Sequence, residues 1–295
     1  MEFSVQGLEG GVGAEIVGLD LDRPVDAVTR RALNDAWLEA GILLFREIGT
    51  SVERQVALSR CFGDLEVHPV ESIRLPGHPE VIHLTNKGES QQMTYRFDGE
   101  PIVGRIPWHT DLIYTTTPNR GAVLRMVEKP ACGGETGWID TALAYDALPS
   151  DKKEALAGLE GHFGFIADLR EMRFGREAEV ELVDFGTVDY PEFPPVAHPL
   201  VWSHPESGRK SLSLSSVHLI DLVGVPRAQG DPFLQELVDH TLDGRFTYVH
   251  DWAEGDMVLW DNWRTMHRAF GTAPADQRIV HRTTIAGSHE TGRLL

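Results

Sequence analysis

Short segments of β-forming residues, separated by turns, fill most of the chain from residue 120 onward, and this spacing limits the possible folds. Gly, Pro, Asp and Asn punctuate the segments, as is typical of many short strands joined by tight turns. The predicted strands span residues 122–127, 197–203, 211–214, 246–249, 257–260 and 280–286. Helical patterns interrupt them near Ser150 and from Pro232 to Leu242. We therefore expect an α+β fold with a mainly β core, in which a double-stranded β-helix (jelly roll) is surrounded by helices.

The first fifty residues add a helix and a buried strand. Apolar side chains recur at helical spacing from Asp26 to Ala40, with Asp26 placed to cap the helix and Gly41 placed to end it. Residues 42–45 are all apolar and predict a buried strand. The apolar face of the helix is predicted to comprise Val28, Ala32, Leu33, Ala36 and Trp37.

Nothing in the sequence divides the chain into independent domains. We find no internal repeat and no linker rich in Pro, Gly or Ser, so residues 1–295 are predicted to form one domain with an insertion around residues 163–195. Cys61 and Cys132 are the only cysteines, and they fit neither a disulfide framework nor a zinc ribbon. At the N-terminus, no basic segment is followed by an apolar run. Together with the lack of a disulfide framework, this pattern predicts a cytoplasmic protein.

Charge narrows the class of partner. The formal net charge of −18 argues against nucleic acid and against an anionic membrane surface, because phosphate binding depends on clustered Lys and Arg. No run of about 18 apolar residues occurs, which also argues against a membrane span. A small soluble molecule is therefore the expected ligand.

Two histidines and an aspartate form the candidate metal site. After Trp108, alternation along a strand would point His109 and Asp111 to the same side. The apolar segment after Gly255 leads into a polar turn that could return His267 to the same place. Two imidazoles and one carboxylate suit iron(II) and leave coordination positions open for oxygen activation. Taken alone, however, the His-x-Asp pair also fits an ordinary polar strand, and His267 fits a hydrogen-bonded surface histidine.

Two arginines follow the third candidate ligand. Arg278 and Arg282 lie in or beside the predicted strand 280–286, where a charged side chain needs a partner. A guanidinium pairs with both oxygens of a carboxylate, so a buried arginine here would suit a dicarboxylate cosubstrate. Each arginine alone also fits a solvated charge or a structural ion pair.

Together these segments resemble the taurine dioxygenase and 2,4-dichlorophenoxyacetate dioxygenase family of iron(II)- and 2-oxoglutarate-dependent oxygenases. The resemblance covers nearly the whole chain, and its motifs occur in the family's order. The matching motifs are Gly13-Ala14-Glu15-Ile16, Gly18-Leu19-Asp20-Leu21, Phe62-Gly63-Asp64-Leu65, His68-Pro69, Trp108-His109-Thr110-Asp111, Gly133-Gly134-Glu135-Thr136, the segment from His204 to Lys210, and the segment from Gly255 to His267 followed by Arg278 and Arg282.

The resemblance implies that His109, Asp111 and His267 bind Fe(II), which 2-oxoglutarate chelates and where O2 reacts. It implies that Thr136 and Arg278 hold the distal carboxylate of 2-oxoglutarate. A hydroxyl and a guanidinium together can satisfy both oxygens of such a carboxylate.

Further positions concern the primary substrate. Arg282 resembles a family arginine that faces the acidic group of the substrate or the other end of the cosubstrate, and His68 matches a position beside the substrate. Where the taurine enzymes carry a tyrosine and an asparagine, this chain has Glu71 and Arg105. Taurine itself is therefore doubtful as the substrate. Glu71 and Arg105 either meet charged groups of another substrate or are surface charges.

The function implied is hydroxylation of a small acidic organic molecule, such as a sulfonate, an aryloxy acid or an amino-acid derivative, with release of succinate and CO2. Two alternatives remain at this point: a zinc-dependent hydrolase that uses the same three ligands, and a non-catalytic jelly roll that binds a small acid. Segments 86–105 and 163–195 are expected to shape the substrate pocket. The family resemblance further implies a homo-oligomer, either a dimer or a tetramer.

Overall fold

A computed structural model describes residues 3–46, 48–86, 93–184 and 191–295 of the chain. Within these ranges the backbone is mainly β, with helices at the periphery. The strands are β1 Ser4–Gly7, β2 Ala14–Val17, β3 Ile42–Phe45, β4 Arg74–Leu75, β5 His78–Thr85, β6 Thr94–Phe97, β7 Glu100–Val103, β8 Ile106–His109, β9 Gly121–Glu128, β10 Thr136–Asp140, β11 Glu160–Phe163, β12 Val180–Asp184, β13 Val196–Pro199, β14 Val201–Ser203, β15 Lys210–Leu212, β16 Leu219–Leu222, β17 Thr247–His250, β18 Met257–Asp261, β19 Thr265–Ala269, β20 Ile279–Ile285 and β21 Arg293–Leu294. The α-helices are α1 Ala27–Ala40, α2 Val52–Ser59, α3 Thr141–Asp146, α4 Ser150–Leu156 and α5 Arg227–Thr241, with 3-10 turns at Glu71–Ile73, Leu169–Glu171 and Gly244–Phe246.

Two sheets face each other at the centre of the molecule. The larger has the order β1-β2-β3-β18-β9-β20-β5-β4, and the smaller has the order β17-β10-β19-β8. Their inner faces share a buried apolar cluster in which the rings of Trp138 on β10 and Trp260 on β18 lie 5.9 Å apart. Removing such large rings from water supplies much of the driving force for closing the two sheets together. The chain is a double-stranded β-helix, which confirms the fold predicted from the sequence.

Helices α1 and α2 cover the outer face of the larger sheet. Asp26 caps α1 by accepting a hydrogen bond from the Thr29 N–H, and Gly41 ends it with a left-handed backbone, φ 73°. Leu33 and Trp37 are buried as predicted, but Val28 is 73% exposed. Five residues separate Val28 from Leu33, a rotation of about 140° around the helix, so Val28 points away from the sheet.

Helices α3 and α5 pack against the outer face of the smaller sheet. Leu234, Leu237 and Val238 of α5 are buried in this second core, and the half-buried Phe233 packs against it. The helix begins at Arg227, earlier than the predicted Pro232. The predicted strand 197–203 is divided into β13 and β14 at Leu200, whose backbone instead bonds to residues 159 and 213.

A third sheet joins the two segments expected to shape the substrate pocket. Strands β6 and β7 come from segment 86–105, β12 comes from segment 163–195, and their order is β12-β6-β7. Residues 87–92 and 185–190 of these segments lie outside the described residues. The division into one domain with an insertion stays a prediction. No helix in the described ranges has the length and apolar character needed to span a membrane.

Candidate active site

Strands β8 and β19 bring two histidines face to face inside the β-helix. His109 and His267 are direct partners in the antiparallel pair, and their ring centroids lie 4.1 Å apart. Nε2 of His109 is 3.6 Å from Oδ1 of Asp111, and Nε2 of His267 is 3.6 Å from Oδ2 of the same carboxylate. One ligand atom from each residue lies within 4.8 Å of the other two. Within the described ranges, no other group of three or more His, Cys, Asp or Glu side chains is placed closely enough to hold a metal ion.

Asp111 reaches this cluster from a turn and not from a strand. β8 ends at His109, and residues 111–114 form a turn in which Leu112 has φ 53°. The predicted strand alternation is therefore wrong for Asp111, although its carboxylate does face both imidazoles. A left-handed backbone at a leucine is disfavoured and persists only where surrounding contacts fix it.

The protonation states of the cluster fit a divalent cation. Nδ1 of His109 donates to the carbonyl of Pro107 at 2.8 Å, which leaves Nε2 as the ring nitrogen directed to the Asp111 carboxylate. Burial, then the neighbouring His109, lowers the pKa of His267 well below its usual value, which keeps that ring neutral. Burial alone would raise the pKa of Asp111, but Arg282 and the two histidines hold it well below its usual value. Two imidazoles and an ionised carboxylate form a donor set suited to iron(II).

Arg282 lies on β20 beside this carboxylate. Its Nη2 is 2.6 Å from Oδ2 of Asp111, and its guanidinium lies 5.4 Å from the ring centroid of Trp260. Its Nε is buried and has no hydrogen-bond partner among the described residues. Arg282 therefore keeps a donor that no described residue uses.

Arg278 contacts the turn before β10, the strand that begins at Thr136. The Nε of Arg278 donates to the carbonyl of Gly134, two residues before Thr136, at 3.2 Å. Burial lowers the pKa of Arg278 to about 10, while the charge of Glu135 raises it. The buried Thr136 hydroxyl accepts from the indole of Trp252 at 3.1 Å, which leaves its own proton available to donate. Both groups can therefore contribute donors to a carboxylate.

His68 is half-buried and lies within electrostatic range of Arg282. Burial lowers its pKa, and the charge of Arg282 lowers it further. Its Nδ1 accepts from the Val70 N–H at 3.2 Å, so the neutral ring carries its proton on Nε2. His68 is thus prepared to donate one hydrogen bond to an anion.

Glu66 lies beside β20, the strand that carries Arg282, and the sequence did not single it out. Its N–H donates to the carbonyl of Thr284 at 2.9 Å, and the adjacent Leu65 and Ile285 form an antiparallel bridge. Paired residues face the same side of a sheet, so Glu66 faces the side of Thr284 and Arg282. Burial raises the pKa of Glu66, whereas Arg282 lowers it and Asp111 raises it. Its position two residues before His68 was the available signal.

The structure does not bring Glu71 and Arg105 to the cluster. The Glu71 side chain is 86% exposed and pairs with Arg74 at 3.3 Å. Arg105 pairs with Glu177, which also accepts from Arg268 at 2.7 Å. Arg268 follows His267 on β19 and therefore occupies the opposite face of that strand. Arg105 is part of this outer ion-pair network.

An aromatic group next to the ligands was also missed from the sequence. The ring of Tyr114, in the same turn as Asp111, lies 4.9 Å from Phe165, 4.8 Å from Phe193 and 4.7 Å from His218, edge to face in each case. Burial lowers the pKa of His218 to about 3, and His109 lowers it further. We call these four side chains the aromatic wall. Two of its members come from segment 163–195, which was expected to shape the pocket.

Comparison with known proteins covers nearly the whole chain. A model of the family described as "Taurine catabolism dioxygenase TauD, TfdA family" matches residues 4–284. The (S)-phenoxypropionate/alpha-ketoglutarate-dioxygenase of Sphingobium herbicidovorans is 30% identical over 289 residues, or 97% of this chain and 95% of that protein. The alpha-ketoglutarate-dependent 2,4-dichlorophenoxyacetate dioxygenase of Cupriavidus pinatubonensis is 30% identical over 282 residues, or 92% and 93%. A solved taurine dioxygenase from Burkholderia xenovorans superimposes with a TM-score of 0.77 at 29% identity, covering 98% of this chain and 90% of that one.

Proposed function

Because the chain belongs to the TauD, TfdA family, it is an iron(II)- and 2-oxoglutarate-dependent dioxygenase, and we propose that it hydroxylates a small organic acid that carries an aromatic ring. Membership in this family favours the oxygenase over the zinc hydrolase and over a non-catalytic binding protein. Fe(II), 2-oxoglutarate and O2 together supply the oxidising chemistry, and succinate and CO2 are released.

Within this proposal, His109, Asp111 and His267 hold the metal. The two imidazoles offer Nε2 lone pairs, and the carboxylate supplies the negative charge that a divalent cation needs. Thr136 and Arg278 hold the distal carboxylate of 2-oxoglutarate. The Thr136 hydroxyl is buried and Arg278 is half-buried, so an anionic carboxylate would pair there with donors that are largely removed from water.

The acidic group of the substrate lies against Arg282 and His68. The unpartnered Nε of Arg282 and the Nε2–H of His68 supply two donors to one anion. Glu66 adds a carboxyl near Arg282 and limits how much negative charge the site accepts, because like charges repel at close range. A singly charged carboxylate therefore fits better than a doubly charged head group.

The aromatic wall is the observation that carries the choice of substrate class. Tyr114, Phe165 and Phe193 are each partly exposed and lie beside His218, whose pKa responds to the ligands His109 and Asp111. An aryl ring beside such a wall gains edge-to-face contacts and leaves water, whereas a short alkyl sulfonate gains little. The phenoxypropionate and 2,4-dichlorophenoxyacetate enzymes among the relatives support the same class. We therefore favour an aryloxyalkanoic acid over taurine.

A paired substrate assay tests this proposal. Succinate formation is measured with phenoxyacetate and with taurine, each in the presence of Fe(II), 2-oxoglutarate and O2. We expect phenoxyacetate to be turned over and Phe193→Ala to raise its KM by roughly tenfold, since an aromatic contact contributes about 1 kcal/mol beyond simple burial. Phe233→Ala, on α5 and outside the aromatic wall, is the matched control and should leave KM unchanged. Faster turnover of taurine, or no effect of Phe193→Ala, would refute the aryl assignment.

A further inference from the structure

The side chain of Asn262 connects the segments that carry two of the proposed metal ligands. It lies in the turn between β18 and β19, and the residue is 1% exposed. Its Oδ1 accepts from the backbone N–H of Asp111 at 3.0 Å, and its Nδ2 donates to the carbonyl of Asp111 at 3.0 Å. Both polar groups of the Asp111 backbone are thus held by a single amide.

We propose that Asn262 is a positioning residue that sets the Asp111 carboxylate for metal binding, an inference that rests on the proposed role of Asp111 as a ligand. Asp111 lies outside β8, so no ladder hydrogen bonds of that strand fix its backbone. The next residue, Leu112, has φ 53°, a conformation that a leucine keeps only under external restraint. The amide of Asn262 supplies that restraint.

Asn262 is itself firmly anchored. Its Nδ2 also lies 3.1 Å from the carbonyl oxygen and 3.1 Å from Oδ1 of Asn119, and its backbone N–H donates to the carbonyl of Arg120. The preceding residue, Asp261, lies 2.6 Å from the guanidinium of Arg120 and 3.0 Å from Nε2 of His204. All these groups are buried, and they hold the turn between β18 and β19 in place independently of Asp111.

The same turn leads directly into β19, which carries His267. The hydroxyl of Thr110 also lies near this segment, 3.3 Å from the carbonyl oxygen of Thr265, although the carbonyl of Leu214 is the closer acceptor at 3.0 Å. The contacts of Asn262 therefore relate the position of Asp111 to the segment that carries His267. Side chains that orient metal ligands in this way typically change metal affinity by about 10–100-fold when removed.

Metal binding measured directly tests the inference without relying on turnover. Mn(II) affinity is determined by electron paramagnetic resonance for the wild type, Asn262→Ala and Asp111→Ala. The matched control is Asn34→Ala, since the Asn34 amide also donates to two backbone carbonyls, those of Arg30 and Cys61, but lies on α1. We expect Asn262→Ala to weaken Mn(II) binding by about 10–100-fold and Asn34→Ala to leave it unchanged. Circular dichroism checks that each variant is folded.

A double-mutant comparison separates positioning from a general loss of stability. If Asn262 acts through Asp111, then adding Asn262→Ala to Asp111→Ala weakens Mn(II) binding no further. Asn262→Asp provides a second variant of the same shape in case the alanine variant does not fold. Its added negative charge alone would favour a cation, so weaker Mn(II) binding would have to come from the lost donor to Asp111.

The outcomes distinguish this inference from the proposed function. If Asp111→Ala binds Mn(II) as tightly as the wild type, the proposed metal site fails, and the inference fails with it. If Asp111→Ala weakens binding but folded Asn262→Ala and Asn262→Asp do not, the metal site stands and the positioning role of Asn262 is overturned.

Discussion

Nη2 of Arg282 lies 2.6 Å from Oδ2 of Asp111, the carboxylate that completes the cluster with His109 and His267. One aspartate therefore faces both a fixed cation and the position proposed for a metal ion. The arrangement allows Arg282 to neutralise Asp111 while still presenting its buried Nε to another anion.

Replacing Arg282 with Gln should separate these two roles. Charge-assisted hydrogen bonds contribute about 1.5–3 kcal/mol, so we expect phenoxyacetate to bind roughly 10–100-fold more weakly. Mn(II) should bind at least as tightly as in the wild type, because a positive charge next to Asp111 is lost. Calorimetric titration of the metal-free variant with Mn(II), and of the Mn(II)-loaded variant with phenoxyacetate, measures the two effects. Weakened Mn(II) binding with unchanged phenoxyacetate binding would contradict the assignment.

Arg278→Gln should act on 2-oxoglutarate instead. Removing a buried guanidinium leaves the distal carboxylate with the Thr136 hydroxyl alone, and we expect about a tenfold or greater rise in the Kd of 2-oxoglutarate. The comparison with Arg282→Gln decides whether Arg282 contacts the substrate or the cosubstrate. A cosubstrate role for Arg282 predicts that both variants weaken 2-oxoglutarate binding, and a substrate role predicts that only Arg278→Gln does.

Arg264→Leu should destabilise the fold strongly. The guanidinium of Arg264 pairs with Asp140 at 2.5 Å and donates to the carbonyls of Leu38 and Glu39 at the end of α1. Because Arg264 and Asp140 are both almost fully buried, loss of the arginine leaves an unpaired buried carboxylate, at a cost of about 3–5 kcal/mol. Urea unfolding measures this loss. The exposed pair of Arg245 with Asp243 provides the control, and Arg245→Leu should change stability little.

His281 should make stability depend on pH in the acid range. Burial, then Arg125, lowers its pKa to about 4, and its Nδ1 must stay unprotonated to accept from Arg125 at 2.8 Å. The unfolded chain binds this proton near pH 6.5, so the contribution of His281 is fully present above about 6.5 and is lost as pH falls toward 4.

Replacing His281 with a residue that does not titrate should make the free energy of unfolding depend less on pH in the acid range. His281→Gln keeps an acceptor for Arg125, so its free energy of unfolding should fall less than that of the wild type between about pH 7 and about pH 4.5. Exposed His289→Gln serves as the control and should follow the wild type. Equal slopes for His281→Gln and the wild type would show that the histidine contributes nothing to acid sensitivity.

The fold could be predicted because short patterns of apolar, capping and turn residues in the sequence indicate its strands and helices. Apolar runs such as residues 257–260 predicted β18, and the cap at Asp26 with the ending Gly41 located α1. Ordered motifs then indicated the family, which the comparisons confirm. The three predicted ligands do come together, although their roles, those of the other site residues, the cytoplasmic location and the oligomeric state stay predictions.

What failed depends on contacts that no local pattern records. Asp111 leaves the strand because Asn262, distant in sequence, holds its backbone in a turn. Glu66 lies beside β20 because its segment bridges to that strand, and the ring of Phe193 contacts Tyr114 from a distant part of the chain. The sequence left Arg105 open between a substrate contact and a surface charge, and its ion pair with the distant Glu177 is visible only in the fold.

His109 and His267 oppose each other on β8 and β19, strands that come from distant parts of the chain. An unfolded chain has no such pair, so metal held there favours the native state by mass action, by about 2.7 kcal/mol at a free concentration one hundred times its Kd. Iron supply would then govern how long the protein survives quality control in a cell, as well as how fast it works.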